Sequence, residues 1–357
     1  MLLHQGEMIS FMRTLIPTVL PNHYQVDKEF HVYGDDEDIK AGVNSYRNYL
    51  YHLYDIMLKD STLSSTPKKG KMKAYDEVSL SVEYPFLNAI RSILNNIGTR
   101  GKFLKDENCI VIDNFSSLAI KTSLNKNSRV TLSNAQMLKA LRILEKSGLL
   151  FHGIDLTTKR LIHDNTQKFN ILFPEDSKML IGLKALGSAY NKFSDRDNDD
   201  ILFRCDYRFL GTNKPNPDEY LIDYTRQLSK NTTLFIHEIH RLLLDLGATC
   251  HTEMRMVNFH FMYTHKKKLL ARFSASLNQG YRFIIKPKHV DKYRPLIDTF
   301  PDDLRETILK GYGCNKKSGT GHGNCQNGCA GIVFKLGDEL HINKQYFKKW
   351  LQAEVLG

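Results

Sequence analysis

Residues 44–58, NSYRNYLYHLYDIML, put Tyr46, Leu50, Leu53 and Met57 on one helical face, with Tyr49 and Ile56 beside them. Tyrosines at that spacing either stack bases or pack a core, and core packing is the commoner use. The period recurs at 84–98, where Phe86, Ile90, Ile93 and Ile97 line one side, Pro85 suits the first turn and Gly98 the end. Between these helices, 60–73 is rich in Ser, Pro, Gly and Lys without periodicity and reads as a mobile basic loop. CIVID at 109–113 predicts a short strand and FSSLAIKTSL at 115–124 a weak helix. Met137, Leu138, Leu141 and Leu144 predict a helix that starts at the N-cap Ser133 and ends at Gly148. A strand at 149–154, a polar basic turn at 157–160 (TTKR), a strand at 168–174 and a helix at 177–193 follow.

After residue 201 the period shifts towards 2.0. ILFRCDYRFL at 201–210 alternates as a strand, and helices are expected over 218–228 and 233–247. Strands then run over 250–265, 268–277 and 281–287, with hairpin turns at 265–268 and 278–280. Helices follow over 289–300 and 301–313. GIVFKL and ELHI read as strands joined by a Gly337-Asp338 hairpin turn, before a helix over 343–356. The fold class is therefore α+β: a mainly helical N-terminal half, then an antiparallel-sheet α+β domain. The expected division is 1–193, an acidic linker at 194–200 and a second domain at 201–357. In the linker, Asp195, Asp197 and Asp199 imitate a calcium loop, but Asp200 stands where glycine is required and no closing glutamate follows.

Helix, glycine, strand, basic turn, strand is the order of a winged helix. The phrase LRILEKSGLL resembles the end of the recognition helix in bacterial winged-helix regulators, and the resemblance covers about 115–174. A winged helix need not touch DNA; contact with double-stranded DNA would use the solvent face of 133–147, which offers Asn134, Gln136, Lys139, Arg142 and Lys146. Lys159 and Arg160 in the basic turn join them. Asn and Gln suit adenine edges, and Lys and Arg suit phosphate or guanine. An ordinary solvated helix face remains the open alternative. Residues 250–310 resemble the small α+β domains of TfoX N-terminal, YjbR and YdhG-type proteins, through an apolar helix, three strands and KPKHVDKYRPLI. The last 150 residues or so are similar to Firmicute proteins that end in a Gly-Cys-rich loop, a hairpin and a helix. These resemblances imply a fold and a cytosolic bacterial setting, but no catalytic residues.

The net charge is +11, which favours polyanionic partners, with plain solubility as the alternative. Glu7 and Arg13 interrupt the apolar N-terminus and no basic n-region precedes it, so no signal peptide is expected. No window is long and apolar enough to span a bilayer, so the expected location is cytoplasmic with no membrane partner. Cys109, Cys205 and Cys250 read as small buried hydrophobes. Cys314, Cys325 and Cys329 cluster in GYGCNKKSGTGHGNCQNGCAG at 311–331. Three thiolates and one imidazole would complete a tetrahedral structural zinc site, the only cofactor these residues offer. His341, taken to lie on a strand, is preferred to His322 as the fourth ligand. No CxxC is present, and a mobile loop with free thiols stays the stronger alternative. HEIH at 237–240 has the wrong spacing for a zincin and reads as two helix-surface histidines. The functional expectation is a non-enzymatic regulatory binding protein whose α+β domain senses a ligand or partner. An interaction module with an inert winged helix and an enzyme with an inter-domain site are the alternatives.

Overall fold

The computed structural model describes residues 5–60, 85–120, 132–161, 167–194, 200–255, 258–277, 279–287, 290–311 and 331–356. The chain divides into two units, 1–215 and 216–357. The architecture is α+β, with helices dominating the first unit and an antiparallel sheet at the heart of the second.

In chain order the first unit has α1 (Gln5–Leu15), α2 (Asp36–Lys59), α3 (Pro85–Arg100), β1 (Lys102–Leu104), β2 (Cys109–Ile112), α4 (Phe115–Ala119) and α5 (Asn134–Lys146). Then come β3 (Leu150–His152), β4 (Phe169–Leu172) and α6 (Lys178–Phe193). The strands form one antiparallel sheet in the order β1-β2-β4-β3. The tyrosine stripe of α2 is core: Tyr46, Tyr49, Leu50, Leu53, Tyr54 and Met57 are all buried. Tyr49 shares a 2.9 Å hydrogen bond with Ser147, and Tyr54 donates to the Phe203 carbonyl at 2.9 Å. No base can stack on that face.

Helix α6 packs against both α2 and α3, and glycines set how closely. A Cβ on Gly42 would lie 2.8 Å from the Gly182 nitrogen, and one on Gly98 would lie 3.1 Å from the Gly187 Cα. At both crossings backbone meets backbone. Between them the buried Lys184 amine donates to the carbonyls of Gly98 (2.5 Å) and Gly101 (2.6 Å), at the end of α3 where carbonyls lack helical partners. Burial pulls that amine down to about 8.

Residues 201–210 are not a strand. They form a turn at 201–205 followed by a 3-10 turn at Tyr207–Leu210, and Cys205 sits at φ 50. Ile201, Leu202, Phe203, Arg204, Cys205 and Asp206 are buried without alternation, so the apolar run reflects burial on every side. This stretch belongs to the first unit: Leu202 lies against Gly98, the Cys205 thiol donates to the Val43 carbonyl at 3.5 Å, and Arg91 pairs with Asp200 at 3.0 Å. The unit therefore extends past the expected start of the second domain at 201, to Pro215. Residues 195–199 of the expected linker and the basic loop at 61–73 lie outside the described residues.

The second unit has a 3-10 turn (Pro217–Tyr220), α7 (Leu221–Thr225), α8 (Lys230–Asp245), β5 (Thr249–Arg255), β6 (Asn258–His265), β7 (Lys268–Ser276) and β8 (Gly280–Ile285). After them come α9 (Arg294–Ile297), α10 (Asp302–Gly311), β9 (Ile332–Lys335), α11 (Asp338–Ile342) and α12 (Lys344–Leu356). The five strands pair antiparallel in sequence order. Lys266 (φ 49) and Lys267 (φ 62) form the two-residue turn between β6 and β7. Phe261, Phe273, Phe283 and Phe334 make one cross-strand row. Rings from the helices pack on it, with Tyr224 5.1 Å from Phe261, Phe235 5.7 Å from Phe283 and Phe347 5.0 Å from Phe334. Gly337-Asp338 is not a hairpin turn. Gly337 is extended and precedes α11, whose first turn carries Asp338 and Glu339 as a helix N-terminus favours. Among the described residues no helix is long and apolar enough to cross a membrane.

Candidate nucleic-acid interface

Three helices and a small sheet build this region of the first unit. Helix α3 packs against both α4 and α5, and β4 pairs between β2 and β3. A capping box starts α5: Ser133 Oγ accepts from the Gln136 amide at 3.3 Å, and Gln136 Oε1 accepts from the Ser133 amide at 3.1 Å. Gly148 at φ 97 ends the helix, with its amide donating to the Glu145 carbonyl at 2.9 Å. Met137, Leu138, Ala140, Leu141, Ile143 and Leu144 are buried, so the outward face of α5 is a narrow strip through Asn134, Ala135, Lys139, Arg142, Glu145 and Lys146, with the acidic Glu145 exposed beside Lys146.

The turn between β3 and β4 is tied to α5. Arg142 donates from Nε to the Leu156 carbonyl and from Nη2 to the Thr158 carbonyl, each at 2.8 Å. Asp155 accepts from the Thr157 amide at 2.8 Å and its hydroxyl at 2.7 Å, and these bonds hold the carboxyl below its ordinary value. The turn so fixed presents Lys159 and Arg160 to solvent.

The seven basic and amide candidates therefore separate. Asn134, Lys146, Lys159 and Arg160 are exposed. Gln136 is occupied in the capping box and Arg142 in the turn. Lys139 is half-buried; burial lowers its amine while the charge of Asp60 opposes that shift. His152 and Lys168, not singled out from sequence, are exposed on β3 and beside β4, with Lys168 3.7 Å from Asp113. The role of Arg142 was also missed. Its acceptors lie 14 and 16 residues away, and backbone carbonyls carry no sequence signal.

Cys314, Cys325, Cys329 and His322 lie outside the described residues. His341 sits on the short helix α11, not on a strand, so the reason for preferring it as a zinc ligand does not hold. Among the described residues no group of His, Cys, Asp and Glu is arranged to hold a metal. His240 is not a surface histidine. It is buried, with Nε2 2.6 Å from Asp218 Oδ1 and Nδ1 2.7 Å from the Tyr263 hydroxyl. Cys109 and Cys205 are buried, as expected, and Cys250 is half-buried. Burial pushes the Cys250 thiol up to about 12, so it is no nucleophile at neutral pH. No family model, no curated protein and no solved structure matches this chain.

Proposed function

We propose that residues 85–172 are a winged helix that binds double-stranded DNA, with α5 as recognition helix and 157–160 as wing. The observation that carries this is topological. The order α3-β2-α4-α5-β3-β4, with β4 between the other two strands, is that of winged helices, and β1 only extends the sheet at one edge. The chemistry agrees, because Lys146 on the helix and Lys159 and Arg160 on the wing are exposed cations on a chain of net charge +11. Arg142 acts within the protein and fixes the wing relative to the helix. Asn134 is the exposed amide for base-edge contact. The second unit is then the ligand- or partner-sensing part of a cytoplasmic, non-enzymatic regulator. Its antiparallel sheet with helices supports the YjbR-type likeness.

The test is duplex binding by fluorescence anisotropy across a salt series. Lys146→Glu, Lys159→Glu and Arg160→Glu combined should abolish binding and shift the melting temperature little, because exposed substitutions stay within about 0.5 kcal/mol. Removing the three one at a time should each lower the salt slope by about 1. Wild-type protein without salt-sensitive duplex binding overturns the proposal. A second reading, an interaction module whose winged helix is inert, draws on the narrow outward strip of α5 and the internal use of Arg142 and Gln136.

A further inference from the structure

The sheet of the second unit ends in two unlike edges. At one end β9 has four residues, Ile332–Lys335, and carries the exposed Lys335. At the other, β5 has seven, Thr249–Arg255, with no lysine, proline or glycine among them. Its register with β6 runs from Thr249↔Thr264 to Arg255↔Asn258 without a bulge. Among the described residues, no main-chain hydrogen bond from any element beyond β6 reaches β5. Helix α8 and the 3-10 turn at Pro217–Tyr220 approach it, but both pack over the phenylalanine row, where Tyr220 meets Phe259 and Phe235 meets Phe283. An open edge is a template for another strand, and natural sheets blunt it with short strands, lysine, proline or bulges. The β9 edge is blunted in this way and the β5 edge is not.

The side chains of β5 say which strand fits. Thr249, His251 and Glu253 alternate onto the polar face of the sheet, which carries Glu253, His260, Ser274 and Arg282 in register. Cys250, Thr252 and Met254 alternate onto the phenylalanine face. Two antiparallel strands related by a two-fold axis have that axis normal to the sheet, so it passes through one residue and pairs like face with like. Centred on Thr252, the whole of 249–255 is paired. Thr252 then faces its own copy, Cys250 faces Met254, and His251 faces Glu253 of the second copy, an imidazole donor against a carboxylate. Centring on His251 pairs only 249–253 and sets imidazole on imidazole. Centring on Glu253 pairs only 251–255 and sets carboxylate on carboxylate, which is unfavourable. His251 is exposed and Thr252 and Glu253 are half-buried, so these groups are within reach at the edge. Glu253 also interacts within its own chain, and its two oxygens accept from both sides.

We infer that β5 pairs with β5 of a second copy of this chain across a two-fold axis at Thr252, joining the two five-stranded sheets edge to edge. Main-chain hydrogen bonds supply the association, and the His251–Glu253 pairs, made twice by symmetry, set the register. The pairing uses no residue of the proposed DNA surface and does not rest on that reading.

The experiment follows the full chain by sedimentation equilibrium over a concentration series, without nucleic acid. Wild-type protein should pass from one chain to two. His251→Glu sets carboxylate against carboxylate and Glu253→Lys sets donor against donor, so each should weaken association at least about tenfold. Mixed one to one, the two variants should associate again, because the introduced lysine of one faces the introduced glutamate of the other. The double variant His251→Glu with Glu253→Lys should recover association for the same reason. Hydrogen exchange of wild-type protein gives a reading free of any substitution: the β5 amides should slow as the dimer forms, and this reading decides where a single variant melts below wild type. The Lys146→Glu, Lys159→Glu, Arg160→Glu variant should associate as wild type does, so failure of the DNA reading and failure of this one are separable. A wild-type chain that stays single at every concentration overturns the inference and leaves the edge to a strand of another protein. Association that both single variants leave intact overturns it, as does a mixture of them that fails to associate. So do β5 amides that exchange alike in monomer and dimer.

Discussion

The two units hold their cores together by opposite means. In the first, α6 meets α2 and α3 at glycine pairs, so backbone touches backbone at the crossings. In the second, helices meet the sheet through ring upon ring, with Phe235 against Phe273, Phe283 and Phe347, and Phe283 against both Phe273 and Phe347. The first arrangement has no room for an extra atom, because a carbonyl cannot give way as a flexible side chain can. The second can shift a ring by a few tenths of an ångström but leaves a large void when a ring is removed. One unit is vulnerable to addition and the other to deletion.

Substitutions at three positions put this contrast at risk. The largest effect is expected at Gly182, where a new Cβ is driven into the backbone of Gly42. Gly182→Val should leave no folded first unit, and Gly182→Ala should cost at least about 3 kcal/mol. Hydrogen exchange of the α2 and α6 amides together with urea denaturation would read this. Phe273→Ala should cost about 3–5 kcal/mol, and Phe273→Leu clearly less, since it removes less volume. An alanine at 182 that is milder than a leucine at 273 would break the contrast. The smallest effect sharpens it by showing what a polar contact on the helix side of the second unit is worth. Glu238 accepts from Lys344 (2.7 Å) and Lys348 (2.5 Å), and these bonds lower its carboxyl from 4.5 to about 2. A depressed folded value means the contribution is complete above about 4.5 and is lost as pH falls towards about 2. The carboxylate side chain stays 32% exposed, so Glu238→Gln should cost only about 1 kcal/mol near neutral pH and nothing at the acid end. Urea midpoints across that range check the shape.

What could be read in advance follows the same division between local and distant causes. Helix α5 was legible because Ser133, the four periodic apolar residues and Gly148 act within one stretch of chain. The stripe of α2 was legible as a face, and its burial followed from the ordinary preference of tyrosine for packed surroundings. Residues 201–210 were misread because FRCDYR at 203–208 alternates apolar with polar as a strand does, while the structure buries both parities. Gly337-Asp338 has hairpin composition, but acidic residues just after an extended glycine also begin a helix, and here they do. The polar face of the second sheet was not visible at all. Glu253, His260, Ser274 and Arg282 become neighbours only through a strand register that no local pattern records.

The position of residues 200–210 has a consequence for how the chain is made. Tyr54 waits for Phe203, 149 residues later, Val43 waits for Cys205, 162 later, and the Asp27 amide donates to the Leu210 carbonyl at 2.8 Å. At a synthesis rate of ~5–20 residues per second, about 180 residues take on the order of 10–40 s to emerge. During that interval the apolar faces of α2 and α3 have no finished core to enter. The second unit pairs each strand with its predecessor, and contacts of short sequence separation form fast once both strands exist. The first unit therefore cannot complete its core until residues 200–210 have been made, whereas the hairpins of the second unit can pair as each strand follows its predecessor.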